Sequence, residues 1–215
     1  MIETIDGPAG AGKSSAAREL ARRLGFRFLD TGAMYRAVTW AAKERGLDLA
    51  DAESLARLAR EMRVELVDDR VLVDGRDVTK EIRTFDITTA IQYAADNPAV
   101  RAQLVEWQRA AANSHNVVTE GRDQGTVVFP RAECKIFLTA DEDERARRRY
   151  RDLVDRGESM SFDEVLSAQQ TRDERDCNRP VGALIKANDA IEVSTNRLTP
   201  QEVVERLEEI VRSKQ

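Results

Sequence analysis

Along this chain short apolar runs alternate with stretches in which apolar residues recur at helical spacing. Ile2 to Ile5 reads as a strand, and Ser14 to Leu24 as a helix with Ala16, Ala17, Leu20, Ala21 and Leu24 on its apolar side. Phe26 to Leu29 predicts a second strand, followed by a helix from Ala33 to about Arg45 and another from Asp51 to Met62, with Asp51 as its cap. Val64–Val67 and Val71–Val73 flank Asp68-Asp69-Arg70 as an antiparallel hairpin, and Asp74-Gly75-Arg76-Asp77 adds a second turn. Helices are predicted from Ile82 to Ala95 and from Pro98 to about Ala112. Strands follow at Val117–Thr119, Cys134–Leu138 and Ala190–Val193. The last helix runs from Pro200 to about Arg212, with Val203, Val204, Leu207, Ile210 and Val211 available to cover a sheet. Five short strands separated by helices predict a parallel α/β sheet with polar sites beyond its strand ends, and the hairpin predicts an inserted subdomain.

The length of 215 residues suits one core with modest insertions. A net charge of −5 gives no overall basicity for a polymeric nucleic acid, so phosphate chemistry must rest on local arginine clusters. No apolar run approaches the roughly 20 residues that span a bilayer, and the first strand lacks the pattern of a signal peptide, so a cytoplasmic protein without membrane attachment is expected. Two cysteines fit that compartment: Cys134 opens an apolar strand and Cys177 lies in a polar stretch. The single histidine, His115, sits among polar residues, which argues against a histidine metal site or a histidine-dependent triad.

The chemistry begins directly after the first strand. Gly7-Pro8-Ala9-Gly10-Ala11-Gly12-Lys13-Ser14 is a complete G-x-x-x-x-G-K-S phosphate loop, set between a strand and a helix as the motif requires. Its glycines let backbone N–H groups curl around an anion. Lys13 supplies a cation to the β and γ oxygens, Ser14 can join the shell of Mg²⁺, and Ser15 completes the stretch facing the nucleotide. A nucleoside triphosphate such as ATP is the first ligand implied.

Charge elsewhere points to a second, anionic ligand. Thr31 and Arg36 lie just beyond a strand end, with Tyr35 placed to stack on an acceptor or to pack beneath it. Arg101 falls one turn into the helix opened by Pro98. Glu120, Arg122 and Asp123 surround Gly121 after a buried strand; the arginine can grip a phosphate, and the glutamate can order a magnesium water or bind a base. Arg145, Arg147, Arg148, Arg149 and Arg151 crowd two turns of helix behind Asp141-Glu142-Asp143-Glu144, a density that predicts an arginine lid over a triphosphate, with Arg156-Gly157 as its exit turn. Arg172, Asp176 and Arg179 recur on one face of the next helix, where Asp176 either holds an arginine or contacts a sugar. Phosphoryl transfer between two anions needs alignment and cations, and an acceptor phosphate needs no general base.

Over nearly its whole length the chain resembles the bacterial cytidylate kinases. The resemblance is carried by Ile5-Asp6-Gly7-Pro8, Asp30-Thr31-Gly32-Ala33-Met34-Tyr35-Arg36, Asp77-Val78 with Glu81-Ile82-Arg83-Thr84, Gly121 through Pro130, Lys135-Ile136-Phe137-Leu138, and Arg172 through Asp176 with Asn178-Arg179. It implies ATP- and Mg²⁺-dependent phosphorylation of CMP and dCMP. The implied fold is a P-loop core of five parallel strands flanked by helices, residues 1–35 and 113–215 with a helical lid at about 141–158. A nucleoside-monophosphate-binding domain at 36–112 would carry the small antiparallel hairpin sheet. Matching positions place Thr31, Tyr35, Arg36 and Arg101 in the acceptor pocket, and Arg122, Asp123, Arg172, Asp176 and Arg179 around the acceptor, with Asp176 and Arg179 toward its base and sugar. Lys13, Arg122, Arg148 and Arg172 are the implied catalytic cations, and a monomer is expected. Gln92 and Glu120 depart from the serine and aspartate of many relatives, changes that bear on cytosine against uracil. A broader UMP/CMP kinase is the nearest competing reading. A nucleotide-binding regulator is a more distant one, since the N-K-x-D loop of guanine switches is absent.

Overall fold

In the computed structural model, residues 1–67, 69–155 and 157–214 are described. The chain divides into two compact units. The first comprises Met1–Phe28 and Ser114–Gln215, and the second Leu29–Asn113.

A five-stranded sheet runs in the order β2–β6–β1–β7–β8, built from β1 (Ile2–Asp6), β2 (Arg27–Asp30), β6 (Val117–Gly121), β7 (Cys134–Thr139) and β8 (Ile191–Ser194). β1 pairs in parallel with both β6 and β7, and β7 pairs in parallel with β8. Because β6 and β7 lie on either side of β1, the chain reverses its direction of travel across the sheet there. Such a switch point opens a crevice at the carboxyl ends of the strands. Helices α1 (Lys13–Leu24) and α8 (Pro200–Arg212) pack together on the sheet, where Leu20, Leu207 and Val211 meet Ile5, Ile136 and Leu138. Helices α6 (Glu142–Asp155) and α7 (Phe162–Asn178) pack against each other.

In the second unit, α2 (Thr31–Glu44) packs on α4 (Phe85–Ala95), and α3 (Ala52–Glu61) on α5 (Pro98–Ala112). Asp51 caps α3 as expected, accepting from the N–H groups of Glu53 and Ser54. A second, antiparallel sheet has three strands, β3 (Val64–Val67), β4 (Arg70–Val73) and β5 (Arg76–Asp77).

Several boundaries differ from expectation for identifiable reasons. The second hairpin turn is Asp74-Gly75 alone, both with positive φ (49° and 83°), while Arg76 and Asp77 pair with Val73 and Leu72 as a strand. Arg70 belongs to β4 and not to the first turn; Asp68 of that turn lies outside the described residues. The helix expected from Ile82 is broken: Glu81–Arg83 form a 3₁₀ turn, and α4 starts at Phe85 with Thr84 as its cap. β6 extends through Glu120 and Gly121 because Ile5 and Asp6 of β1 continue to pair with them. Gln124–Val128 form a π-helical turn that periodicity does not signal.

Candidate active site

The phosphate loop leaves the end of β1 and enters α1 at Lys13. Gly7 has φ 149°, and a Cβ there would stand 2.1 Å from the Leu138 carbonyl oxygen, so only glycine fits against β7. Gly10, at φ 79°, faces Arg145, whose Cβ would be 3.1 Å from an added methyl. The Lys13 ammonium donates to the Pro8 carbonyl at 2.7 Å within the loop and is buried. Burial pushes its pKa well below the ordinary lysine value; Arg122 and Arg172 push the same way, opposed by Glu120 and Asp6. A polyanion bound in this loop would reverse that depression. Ser14 Oγ donates to Glu120 Oε1 at 2.9 Å, which brings the buried Glu120 carboxylate to the hydroxyl the motif reserves for a metal shell. Ser15 is exposed and donates to the Gly12 carbonyl at 3.0 Å.

Beyond β6, two arginines converge on one buried carboxylate. Arg122 Nε donates to Asp176 Oδ2 at 2.7 Å, and Arg179 Nη2 to Asp176 Oδ1 at 2.6 Å. Burial raises the Asp176 pKa, but Arg122, Arg172 and Arg179 outweigh it and hold the group below the usual aspartate range. Of the two roles open to Asp176 in the sequence, holding arginine is the one seen, and it holds two. Arg172 is half-buried and close enough to act on both Asp176 and Lys13; Asp123 is buried at the start of the π-helical turn.

The arginine-rich helix is tied to protein groups more than its charge density suggests. Arg145 is buried, donating to the Ala9 carbonyl of the phosphate loop at 2.9 Å and to Asp173 at 2.6 Å. Arg148 donates to Glu144, to Thr195 Oγ1 at 2.9 Å and to the Thr195 carbonyl at 2.8 Å. Thr195 Oγ1 in turn lies 3.3 Å from the Ala11 carbonyl. Arg147 pairs with Asp143 on the exposed side. Arg145 and Arg148 therefore brace the phosphate loop from behind its carbonyls. Arg156, half of the expected exit turn, lies outside the described residues.

In the second unit, Asp30 organises the start of α2. Its Oδ1 accepts from the Ala33 N–H at 2.8 Å and from Arg36 Nη2 at 3.4 Å, while Oδ2 accepts from Arg83 Nη2 at 3.3 Å. Thr31 is buried at the first position of α2. Tyr35 is buried too, with the Arg101 guanidinium 5.4 Å from its ring centroid, so its ring packs beneath a cation. Thr31, Tyr35, Arg36 and Arg101 are thus held by neighbouring parts of one unit. The sequence reading missed Asp30, Arg83, Asp173 and Thr195 as members of these networks. Asp30, Arg83 and Asp173 lie in the motifs that carry the family resemblance, which was the available signal; Thr195 lies in none, and its partners Arg148 and Ala11 are supplied by the fold alone.

Among the described residues no helix is long and apolar enough to cross a membrane, and no group of three or more His, Cys, Asp or Glu side chains is placed to cage a metal. The sequence model of the family described as cytidylate kinase matches residues 3–213. A cytidylate kinase of Rhodopirellula baltica is 53% identical over 212 residues, covering 99% of this chain and 93% of its own. That of Pelotomaculum thermopropionicum is 49% identical over 205 residues, covering 93% and 91%. The solved structure of an uncharacterized protein from Eubacterium ventriosum has a TM-score of 0.53 at 13% identity over 99% of both chains, a likeness of fold alone. With a match along almost all of its length and relatives at about half identity, the chain belongs to the cytidylate kinase family.

Proposed function

We propose that this protein transfers the terminal phosphoryl group of ATP to CMP and dCMP, giving the diphosphates. The observation that carries the reading is the Arg122–Asp176–Arg179 cluster, near enough for Arg122 to depress the pKa of the phosphate-loop lysine. Gly7 to Ser15 bind the triphosphate, with Lys13 neutralising charge that develops on the transferred group. Arg122, Arg172 and Arg179 bind and orient the acceptor, Asp176 fixing two of these guanidiniums and turning toward the base and sugar with Arg179. Asp123 joins them at the start of the π-helical turn. In the second unit, Thr31, Arg36 and Arg101 serve the acceptor, with Tyr35 as the platform under Arg101.

No side chain is needed to remove a proton, because an acceptor phosphate is largely ionised near neutral pH. His115, the single histidine, is exposed. Ser14 and Glu120, already in hydrogen-bond contact, would hold a Mg²⁺ ion, as the hard oxygen donors of a hydroxyl and a carboxylate suit it. When bound, the ion would neutralise charge on the transferred phosphate. Arg145 and Arg148 hold the loop that shapes the triphosphate site, and with α6 they form the lid, Arg148 contributing its charge as the lid closes. A cytoplasmic monomer completes the proposal; Cys134 and Cys177 are both free, as a reducing compartment requires.

The test compares Lys13→Met and Arg179→Ala with ATP, CMP and dCMP. The lysine change should lower kcat on both acceptors alike, by about 100-fold or more. The arginine change should act mainly through acceptor KM; equal effects of the two variants on every constant would contradict the division of roles.

A further inference from the structure

The segment that carries Arg122 and Asp123 is short, and its two ends are held by different means. On one side Gly121 is paired with Asp6 in the β1–β6 ladder. On the other, the chain enters the π-helical turn Gln124–Val128, whose first N–H groups have no partner within the turn and need an acceptor from elsewhere. Asp6, the last residue of β1 and buried, supplies both. Its Oδ1 accepts from the Gln124 N–H at 2.9 Å and its Oδ2 from the Gly125 N–H at 2.7 Å.

The rest of the turn leaves little room for another arrangement. Thr119 Oγ1 donates to the Gln124 side-chain oxygen at 2.9 Å. A Cβ on Gly125 would come within 3.0 Å of Thr4 Oγ1, 3.2 Å of Lys135 Cδ and 3.4 Å of Asp6 Oδ2. β1, β6 and β7 therefore enclose the turn, and the carboxylate of Asp6 is the contact that binds its backbone. Burial raises the Asp6 pKa to about 6, against the two N–H donors that lower it, so near neutral pH both oxygens remain acceptors. An asparagine would offer one acceptor oxygen and turn an amide N–H₂ toward one of the two donors.

We propose that Asp6 is the positioning residue for acceptor recognition: by clamping Gln124 and Gly125 it fixes Arg122 and Asp123 relative to the phosphate loop that starts at Gly7. Asp6 touches neither nucleotide in this account and acts through the turn. The inference rests on the assignment of Arg122 to the acceptor.

Three single variants of the full chain and one double variant test it: Asp6→Asn, Gly125→Ala, Arg122→Lys, and Asp6→Asn with Arg122→Lys, each measured for CMP KM at saturating ATP and ATP KM at saturating CMP. Losing one clamp bond should raise CMP KM about tenfold in Asp6→Asn, while ATP KM changes by less than about threefold. Gly125→Ala, which crowds the same turn while leaving the Asp6 carboxylate chemically unchanged, should show the same split and carries the test if Asp6→Asn does not fold. In the double variant Asp6→Asn with Arg122→Lys, CMP KM should rise by less than the product of the two single effects, because Asp6 acts in part through Arg122. Equal rises in both KM values, or a CMP KM unchanged in the folded variants, would overturn the proposal. If Arg122→Lys raises CMP KM and the other two do not, Asp6 alone is misassigned; if Arg122→Lys also leaves it unchanged, the acceptor role of Arg122 has failed and this inference with it.

Discussion

Glu3 stands in β1 opposite Cys134 with its carboxylate fully buried and neither oxygen meeting a nitrogen or oxygen donor. Burial pushes its pKa from 4.5 up to about 7 and is the dominant cause, with the Cys134 thiol pulling the other way. The folded state therefore holds this proton more tightly than the unfolded chain does. Its contribution to stability is complete below the ordinary glutamate value and is lost as pH rises through about 7. Between about pH 5 and pH 8 the cost is on the order of 1–3 kcal/mol. Urea denaturation of Glu3→Gln should show a correspondingly smaller loss over the same interval; an unchanged pH dependence would mean the carboxyl is not the source. Cys134, raised to about 12 chiefly by burial, stays a neutral thiol throughout. Gly7 is constrained in another way: Gly7→Ala places a methyl 2.1 Å from the Leu138 oxygen, and the phosphate loop must move. ATP KM should rise by about tenfold or more in that variant, since loop N–H groups lose their aim.

Helices whose signals are local were legible in the sequence. α5 and α8 begin at the prolines and end where the apolar spacing stops. Thr199 and Glu202 form a reciprocal cap at the start of α8, so Thr199→Ala should lower stability by about 1 kcal/mol, read as a fall in Tm with kcat unchanged. Elements held from a distance were not legible. β5 has two residues and no period to detect, and the π-helical turn depends on Asp6, 118 positions away. The arginines of α6 illustrate the same limit. Their density signalled a polyanion, yet Arg145 finds the Ala9 carbonyl 136 residues earlier and Arg148 finds Thr195 47 residues later. Because Arg145 braces the phosphate loop, Arg145→Met should raise ATP KM by about tenfold and leave CMP KM nearly unchanged; the reverse pattern would place that arginine on the acceptor.

Each of the two units carries residues of the proposed chemistry, which calls for no catalytic base. The first unit carries the phosphate loop, Glu120 and the arginines gathered on Asp176; the second carries Arg36 held by Asp30 and Arg101 over Tyr35. The phosphate loop is contiguous in the chain and complete in the sequence, whereas the residues proposed for the acceptor are picked out by strand ends and ordered motifs. Their mutual pairing was not legible, since Arg122 and Asp176 lie 54 positions apart. The acceptor's identity carries the central claim. Steady-state diphosphate formation from CMP, dCMP, UMP, AMP and GMP with ATP and magnesium measures it directly. CMP and dCMP should each exceed the other three in kcat/KM by about tenfold or more, the discrimination that buried polar groups give when a wrong base leaves them unpaired. Equal rates with CMP and AMP, or ATP consumption with no CDP formed, would contradict it.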